Sequence, residues 1–226
     1  MSFHAARYNA LRSVEDVTEQ LKANREILEE LAHLLVANGL HRHYDIRLLH
    51  KHFEINDDER VVTFDGDNCK VSTPYNSEGV LSPQVMKEHG IERPVGNGVV
   101  FASDFLIDEG GAIPYEFAYG PHVPPEVPLD QNFLLSWNSI LRTHNMGGTL
   151  GLAVQDGVEV GGFEESDSDA RWSKITYEKD AILPGDANGY LTTSWRIDDH
   201  GSGLVELKQC SYCSSLRRHG KSSACT

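Results

Sequence analysis

Histidines cluster at one place in this chain. Two His-x-His pairs, His41/His43 and His50/His52, fall within twelve consecutive residues and account for four of the eleven histidines. Imidazole nitrogens are common ligands of zinc and iron. On a β-strand the side chains at i and i+2 share a face about 6.6 Å apart, so both members of a pair can reach one ion. The spacing therefore predicts a divalent metal site, with zinc or iron as the ion.

The second pair is the stronger candidate because it falls within a predicted strand. Residues 44–55 alternate as a strand does, and Ile46 and Leu48 share the face of His50 and His52. The pair is therefore expected to point into the core, where buried imidazoles need partners. The first pair falls in the turn before this strand and is a separate, weaker candidate.

A metal site built on two histidines needs a third ligand from another segment. The candidates lie on or just beyond two later predicted strands, 98–107 and 112–119, and are Asp104, Glu116 and His122. Two histidines and a carboxylate leave coordination positions open, which suits zinc hydrolysis or iron-dependent oxygen chemistry. The alternative is a strand that carries two histidines and binds no metal.

The C-terminal segment offers an alternative zinc site. Its Cys210, Cys213, His219 and Cys225 are similar in order to the zinc knuckle C-x2-C-x4-H-x4-C, with one more residue in each of the two later spacers. The resemblance implies a zinc ion held by these four side chains. Otherwise residues 210–226 form a flexible, locally basic tail after a single domain over 1–209.

Composition limits the class of protein. The 226 residues suffice for one domain, and 39% hydrophobic with 24% charged residues is typical of a soluble globular protein. No apolar run reaches the roughly 18 to 20 residues of a membrane-spanning helix, and residues 1–30 lack the apolar block of a signal peptide. We therefore expect an intracellular, cytoplasmic protein with no membrane partner.

Charge and motifs narrow the partners. A formal charge of −14 repels polyanions, which disfavours nucleic acid and favours a small molecule or a protein as the partner. The chain has no G-x-S-x-G motif, which disfavours a serine hydrolase. Its glycine-rich stretch 147–151 follows a predicted helix and precedes a predicted strand, the reverse of the order in a phosphate-binding loop.

Hydrophobic periodicity predicts the elements that position these residues. Helical spacing over 14–38 predicts one long N-terminal helix, which either packs on the protein's own sheet or forms a dimer. A second helix is predicted near 131–145, capped by Asp130. The glycine-rich, acidic stretch 157–169 is expected to be a mobile loop. The remaining predicted strands are 61–64, 69–73, 149–154, 191–197 and 204–210. Turn sequences at 65–68 and 108–111 predict two hairpins, one joining 61–64 to 69–73 and one joining 98–107 to 112–119.

These elements predict an α+β fold, with a mostly antiparallel sheet or partly closed barrel of about seven to nine strands packed against the two helices. The leading functional hypothesis is a small metalloprotein with the His50/His52 pair as ligands, and the sequence leaves open whether it is a metal-dependent enzyme acting on a small molecule. The alternative is a non-catalytic interaction or regulatory protein, a homodimer through its N-terminal helix with a C-terminal zinc site.

Overall fold

A computed structural model describes most of the chain, and its helices are short. The described residues are 3, 5–66, 69–76, 78, 83–91, 98–125, 127–155, 162–177, 190–198 and 203–211. The helices in these ranges are α1 (Ala5–Asn9), α2 (Val14–Lys22), α3 (Ile27–Ala37), α4 (Pro83–His89) and α5 (Gln131–Thr143). None of these helices is long and apolar enough to cross a membrane.

The strands of the described ranges form one sheet that closes on itself. They are β1 (Tyr44–Leu48), β2 (Glu59–Gly66), β3 (Cys69–Asn76), β4 (Val99–Asp108), β5 (Gly111–Gly120), β6 (Leu150–Val154), β7 (Gly162–Asp167), β8 (Trp172–Tyr177), β9 (Tyr190–Ile197) and β10 (Leu204–Ser211). Their order is β1-β6-β4-β5-β2-β3-β8-β7-β10-β9. Because β9 also pairs with β1, the sheet is a closed barrel.

The barrel sheet is mixed. Strand β2 pairs parallel with β5, and β7 pairs parallel with β10, while the other neighbours pair antiparallel. The α+β class is confirmed, but the expected mostly antiparallel sheet of seven to nine strands is corrected to a mixed sheet of ten strands in the described ranges. Parallel neighbours are joined by long connections, so strand periodicity alone does not reveal them.

The prediction of one long N-terminal helix is wrong. The helical segment over 14–38 is divided into α2 and α3, and tight turns join them. Asn24 marks the break, because its side-chain amide donates to the Gln20 carbonyl over 3.0 Å while its backbone N–H donates to the Leu21 carbonyl. The Gln20 carbonyl is the acceptor that a continuing helix would give to the Asn24 N–H, so the side chain competes with the helix.

Two hairpins and the second helix follow the sequence. Strands β2 and β3 pair antiparallel up to Gly66 and Cys69, and β4 and β5 pair antiparallel up to Asp108 and Gly111. Helix α5 begins after Asp130, whose carboxylate accepts the Phe133 N–H over 2.8 Å. These elements are confirmed because the local signals, a turn sequence and a cap, agree with the tertiary structure.

The barrel wall has an apolar outer face where the helices pack. Ile46 and Leu48 of β1 and Trp195 of β9 are buried in one cluster with side chains of α2, α3 and α5. This cluster also buries Leu28 and Leu31, which belong to the apolar stripe of the predicted N-terminal helix. The stripe therefore packs on the protein's own sheet, and a homodimer stays a prediction that would need another surface.

The opposite face of the same wall is polar. Arg47 lies between Ile46 and Leu48 on β1, so its side chain points away from the helices. It lies 3.4 Å from Asp104 of β4 and 3.7 Å from Glu164 of β7, two strands that are not neighbours of each other in the sheet. Contact between distant strands of one closed sheet occurs across its interior. The barrel therefore encloses a group of buried charged side chains.

Candidate metal centre in the barrel interior

The histidine pair lies just after the first strand. Strand β1 ends at Leu48, so the prediction of a strand through residue 55 is wrong for the part that carries the histidines. Downstream, Leu49 and Phe53 pack with Tyr8 of α1, and this packing replaces strand pairing. The two imidazoles nevertheless lie side by side, with ring centroids 4.6 Å apart and planes at 77°.

Strand alternation predicts the wrong face of the sheet for His50 and His52. On an extended strand, His50 and His52 would share the face of Ile46 and Leu48, which is the helix-covered outer face. In the structure, His52 Nε2 lies 3.1 Å from Glu164 Oε1, and the same carboxylate neighbours Arg47. The histidines therefore belong to the polar interior of the barrel.

Glu164 is the third member of the cluster, and sequence reasoning missed it. One ligand atom each from His50, His52 and Glu164 lie within 4.8 Å of one another, and no other such group of three occurs among the described histidines, cysteines and acidic residues. The Glu164 side chain is only 2% exposed. Ser173 of β8 donates to Glu164 Oε1 over 3.0 Å and so fixes the carboxylate.

Glu164 was missed because the acidic run that contains it indicates a solvated loop. The structure instead forms a hairpin, β7 and β8, with Glu164 opposite Ile175. The alternation of residues 172–177 was the available signal for β8, and a strand there requires a partner. The prediction of a mobile loop over 157–169 is therefore wrong for residues 162–167, which form β7.

His50 is held as a neutral imidazole with a defined tautomer. Its Nδ1 lies 2.9 Å from the Leu48 carbonyl oxygen, which can only accept, so Nδ1 carries the proton. Burial, reinforced by the neighbouring His52 and Arg47 charges, lowers the pKa of His50 to about 3. Nε2 therefore carries a lone pair at neutral pH, the form in which histidine binds metals.

His52 and Glu164 form a buried ion pair in the absence of metal. Burial alone would lower the pKa of His52, but the Glu164 carboxylate outweighs burial and raises it. Burial would raise the pKa of Glu164, but the His52 and Arg47 charges hold it well below its usual value. The carboxylate is therefore ionised and requires a positive partner, which is either a proton on His52 or a cation.

The pair at 3.1 Å is close without being well aligned. His52 Nε2 is buried and makes no hydrogen bond of acceptable geometry with any described residue. Arg47 has the same property at Nε and Nη1. Buried polar atoms without hydrogen bonds are costly, so such a group is typical of a site that another ligand completes.

Two of the predicted third ligands lie in the same interior but outside the group of three. Asp104 and Glu116 are buried and paired in register on β4 and β5. Asp104 neighbours Arg47 at 3.4 Å, and burial and the Asp104 charge raise the pKa of Glu116 to about 7. His122 is exposed after the end of β5. Glu164, and none of these three residues, completes the group that could hold a metal ion.

The alternative zinc site is largely beyond the described residues. Cys210 lies on β10, which continues to Ser211, past the domain boundary expected after residue 209. Cys213, His219 and Cys225 lie outside the described residues. The zinc knuckle resemblance therefore stays a prediction.

Helix α1 closes the barrel interior near the histidines. Tyr8 is fully buried, and its hydroxyl oxygen accepts the backbone N–H of His52 over 3.3 Å. Tyr8 packs with Phe53 and Tyr115 in one apolar cluster. These apolar side chains lie between solvent and the group of His50, His52 and Glu164 on the side of α1.

Comparison with protein-family models, curated proteins and solved structures finds no significant match. The chemistry of the donor set and its surroundings therefore carries the functional argument. Two imidazoles and a carboxylate, buried together with a second layer of fixed hydrogen bonds, can hold a divalent cation.

Proposed function

We propose that this protein is a metalloprotein in which His50, His52 and Glu164 bind one divalent ion, zinc or iron. The observation that carries the proposal is that three ligand atoms from two separate segments lie within 4.8 Å of one another in the barrel interior. Two of these residues follow β1 and the third lies on β7, so the fold brings them together rather than the local sequence.

The distances support this assignment. Ligand bonds of about 2.0 to 2.2 Å at tetrahedral or octahedral angles separate neighbouring ligand atoms by about 3 to 3.5 Å. The 3.1 Å between His52 Nε2 and Glu164 Oε1 falls in this range. The group as a whole extends to 4.8 Å, so ion binding would require the His50 ring or the Glu164 carboxylate to move closer.

The surroundings of the ligands support it as well. Metal-bound imidazoles usually donate their other N–H to a carbonyl or carboxylate, which sets the tautomer. His50 has this arrangement through Nδ1 and the Leu48 carbonyl. Glu164 has a comparable support in the Ser173 hydroxyl. Such outer contacts typically contribute 10- to 100-fold to metal affinity.

The donor set favours particular metals and a chemical role. Imidazole and carboxylate donors without thiolate suit zinc and iron(II) more than copper(I). Three protein ligands leave one or more coordination positions for water or a small molecule, as in catalytic metal sites. We therefore propose a metal-dependent enzyme acting on a small molecule, with the open position facing the polar barrel interior.

Metal content tests this proposal. Protein made without a histidine tag is incubated with zinc, or anaerobically with iron(II), freed of unbound ion and analysed by plasma mass spectrometry. About one ion per chain is expected in the wild type, and much less in the double variant His50→Ala/His52→Ala. The matched control is His41→Ala/His43→Ala, which has the same residue types and spacing and should keep the metal.

The alternatives give different results. If the ion survives in His50→Ala/His52→Ala and is lost when Cys213 and Cys225 are changed to Ser, the C-terminal segment is the metal site and the proposal fails. If the wild type binds no ion at micromolar concentrations, the His52–Glu164 contact is a structural ion pair.

A further inference from the structure

Arg47 stands apart from the other charged groups of the barrel interior. Its side chain is 3% exposed and points from β1 into the polar interior of the barrel. The residues paired with it across the sheet are small, Gly151 on β6 and Ser194 on β9. Paired residues point to the same face, so the guanidinium projects past small neighbours into the interior.

The contacts that Arg47 makes are long. Nε lies 3.4 Å from Asp104 Oδ1, and Nη2 lies 3.7 Å from Glu164 Oε2, whereas a charge-assisted hydrogen bond spans about 2.7 to 2.9 Å. Tyr115 also lies beside the guanidinium. Nε and Nη1 remain without a hydrogen bond to any described residue. Two donor nitrogens of a buried cation therefore lack an acceptor among the described residues.

An acceptor for these groups must come from outside the described side chains. Water is one possibility, and an anion is the other. One edge of the planar guanidinium, formed by Nη1 and Nη2, matches the two oxygens of a carboxylate better than a spherical ion. The geometry therefore favours a planar oxyanion.

Charge decides when such an anion can bind. Without metal, the acidic residues Asp104, Glu116 and Glu164 lie around Arg47, so an added anion is repelled. A divalent ion and Arg47 together bring three positive charges against the carboxylates of Asp104 and Glu164. The ion therefore offsets the negative charge that repels an anion from the metal-free interior.

We propose that Arg47 binds the carboxylate of a small anionic molecule beside the metal ion, an inference that rests on the metal function proposed above. Arg47 is a binding and specificity residue for this ligand and is not a metal ligand. The metal must bind first, because it supplies the positive charge that admits the anion.

Cobalt substitution tests this inference, because the visible spectrum of Co²⁺ reports changes in its coordination. The cobalt protein is titrated with acetate at constant ionic strength. Three proteins are compared: the wild type, Arg47→Lys, and the control Arg7→Lys, which alters an exposed arginine paired with Asp108. Arg47→Lys keeps the charge that Asp104 and Glu164 require but loses the planar fork. Cobalt content is measured for each protein.

The expected result is a saturable spectral change with acetate in the wild type and in Arg7→Lys. In Arg47→Lys the acetate affinity should fall about 10- to 100-fold with cobalt content unchanged, as the loss of one charge-assisted hydrogen bond predicts.

Contrary outcomes are distinguishable. Bound cobalt with no acetate response, or with equal acetate affinity in the wild type and Arg47→Lys, overturns the role of Arg47 and leaves the metal function intact. It would mean that water accepts the hydrogen bonds of the guanidinium. Absence of cobalt from the wild type overturns the metal function and this inference together.

Discussion

Two arginine–carboxylate contacts of strand β1 differ in fit. Arg196 donates to both oxygens of Asp45, from Nε to Oδ1 and from Nη2 to Oδ2, each over 2.8 Å, and Gln155 donates to the same carboxylate over 3.0 Å. Arg47 meets Asp104 and Glu164 only at 3.4 and 3.7 Å, although its side chain is the more buried of the two, 3% exposed against 17%. The pair with the greater desolvation cost thus has the poorer contacts.

This difference indicates which contact stabilises the fold and which belongs to a ligand site. A bidentate pair with a third donor satisfies its charges internally and fixes β1 against β9. In the group around Arg47 and Glu164, Nε and Nη1 of Arg47 and Nε2 of His52 are buried without a hydrogen bond to any described residue. A folded protein retains such a group at the expense of stability where a ligand completes it. We therefore interpret Asp45–Arg196 as structural and the interior cluster as the site.

Glu164→Gln should give the largest effect, and it should fall on metal binding. Loss of the anionic ligand is expected to weaken zinc affinity by about 1000-fold or more, since loss of an outer contact alone costs 10- to 100-fold. Stability of the metal-free protein should change by less than that of Asp45→Asn, because His52 can become neutral when its partner is removed. Zinc titration with a competing chelator and urea denaturation check the two parts.

Asp45→Asn should give the converse result. Arg196 would lose its bidentate partner, which should lower the free energy of unfolding by about 2 to 3 kcal/mol, below the full cost of a buried pair because Arg196 is partly solvated. Zinc stoichiometry should not change. Asp108→Asn, which breaks an exposed pair with Arg7, is the control and should cost about 0.5 kcal/mol or less. Loss of zinc in Asp45→Asn would remove the distinction between the two regions.

Glu116→Gln should change the pH dependence of the stability of the metal-free protein. The pKa of Glu116 is raised from 4.5 to about 7, so the folded state binds more protons than the unfolded state between these values. Stability of the metal-free wild type should therefore fall as pH rises from 4.5 to 7. Relative to Glu116→Gln, it should lose about 1 to 2 kcal/mol between pH 5 and pH 8. An equal difference in unfolding free energy between the wild type and Glu116→Gln at the two pH values would contradict this.

Glu59→Gln should show a smaller effect of opposite sign. Burial would raise the pKa of Glu59, but hydrogen bonds from Arg171 and the Asn56 N–H outweigh it and lower the pKa. The wild-type pair therefore contributes stability above the unfolded pKa and loses it as pH falls through the folded pKa. Because water screens this pair, the contribution at pH 7 should be about 0.5 kcal/mol or less, and it should be lost at an acid pH below the folded pKa. Urea denaturation at both pH values measures it.

Local signals predicted the elements that depend on local chemistry. Turn residues identified the β2/β3 and β4/β5 hairpins, and the Asp130 cap identified α5. The break between α2 and α3 was not predictable, because apolar spacing continues across it and only the Asn24 side chain diverts the Gln20 carbonyl. Parallel pairing of β2 with β5 was also hidden, since it depends on contacts between distant segments.

The site was half predictable for the same reason. His50 and His52 are neighbours in sequence, and their spacing indicated a shared target. Glu164 reaches them only because β7 pairs with β8 and β10 and closes the barrel, whereas its acidic surroundings indicate a solvated loop. Arg47 has no distinctive local sequence, and its importance follows from burial and unpartnered donors alone.

The position of a bound ion tests the central claim most directly. Crystals of the protein loaded with zinc would be measured on both sides of the zinc absorption edge, and an anomalous difference map would locate the ion. We expect one strong peak at about 2.0 to 2.2 Å from a nitrogen of His50, Nε2 of His52 and an oxygen of Glu164. A peak at the C-terminal cysteines, or no peak beside an intact His52–Glu164 contact, would contradict the account.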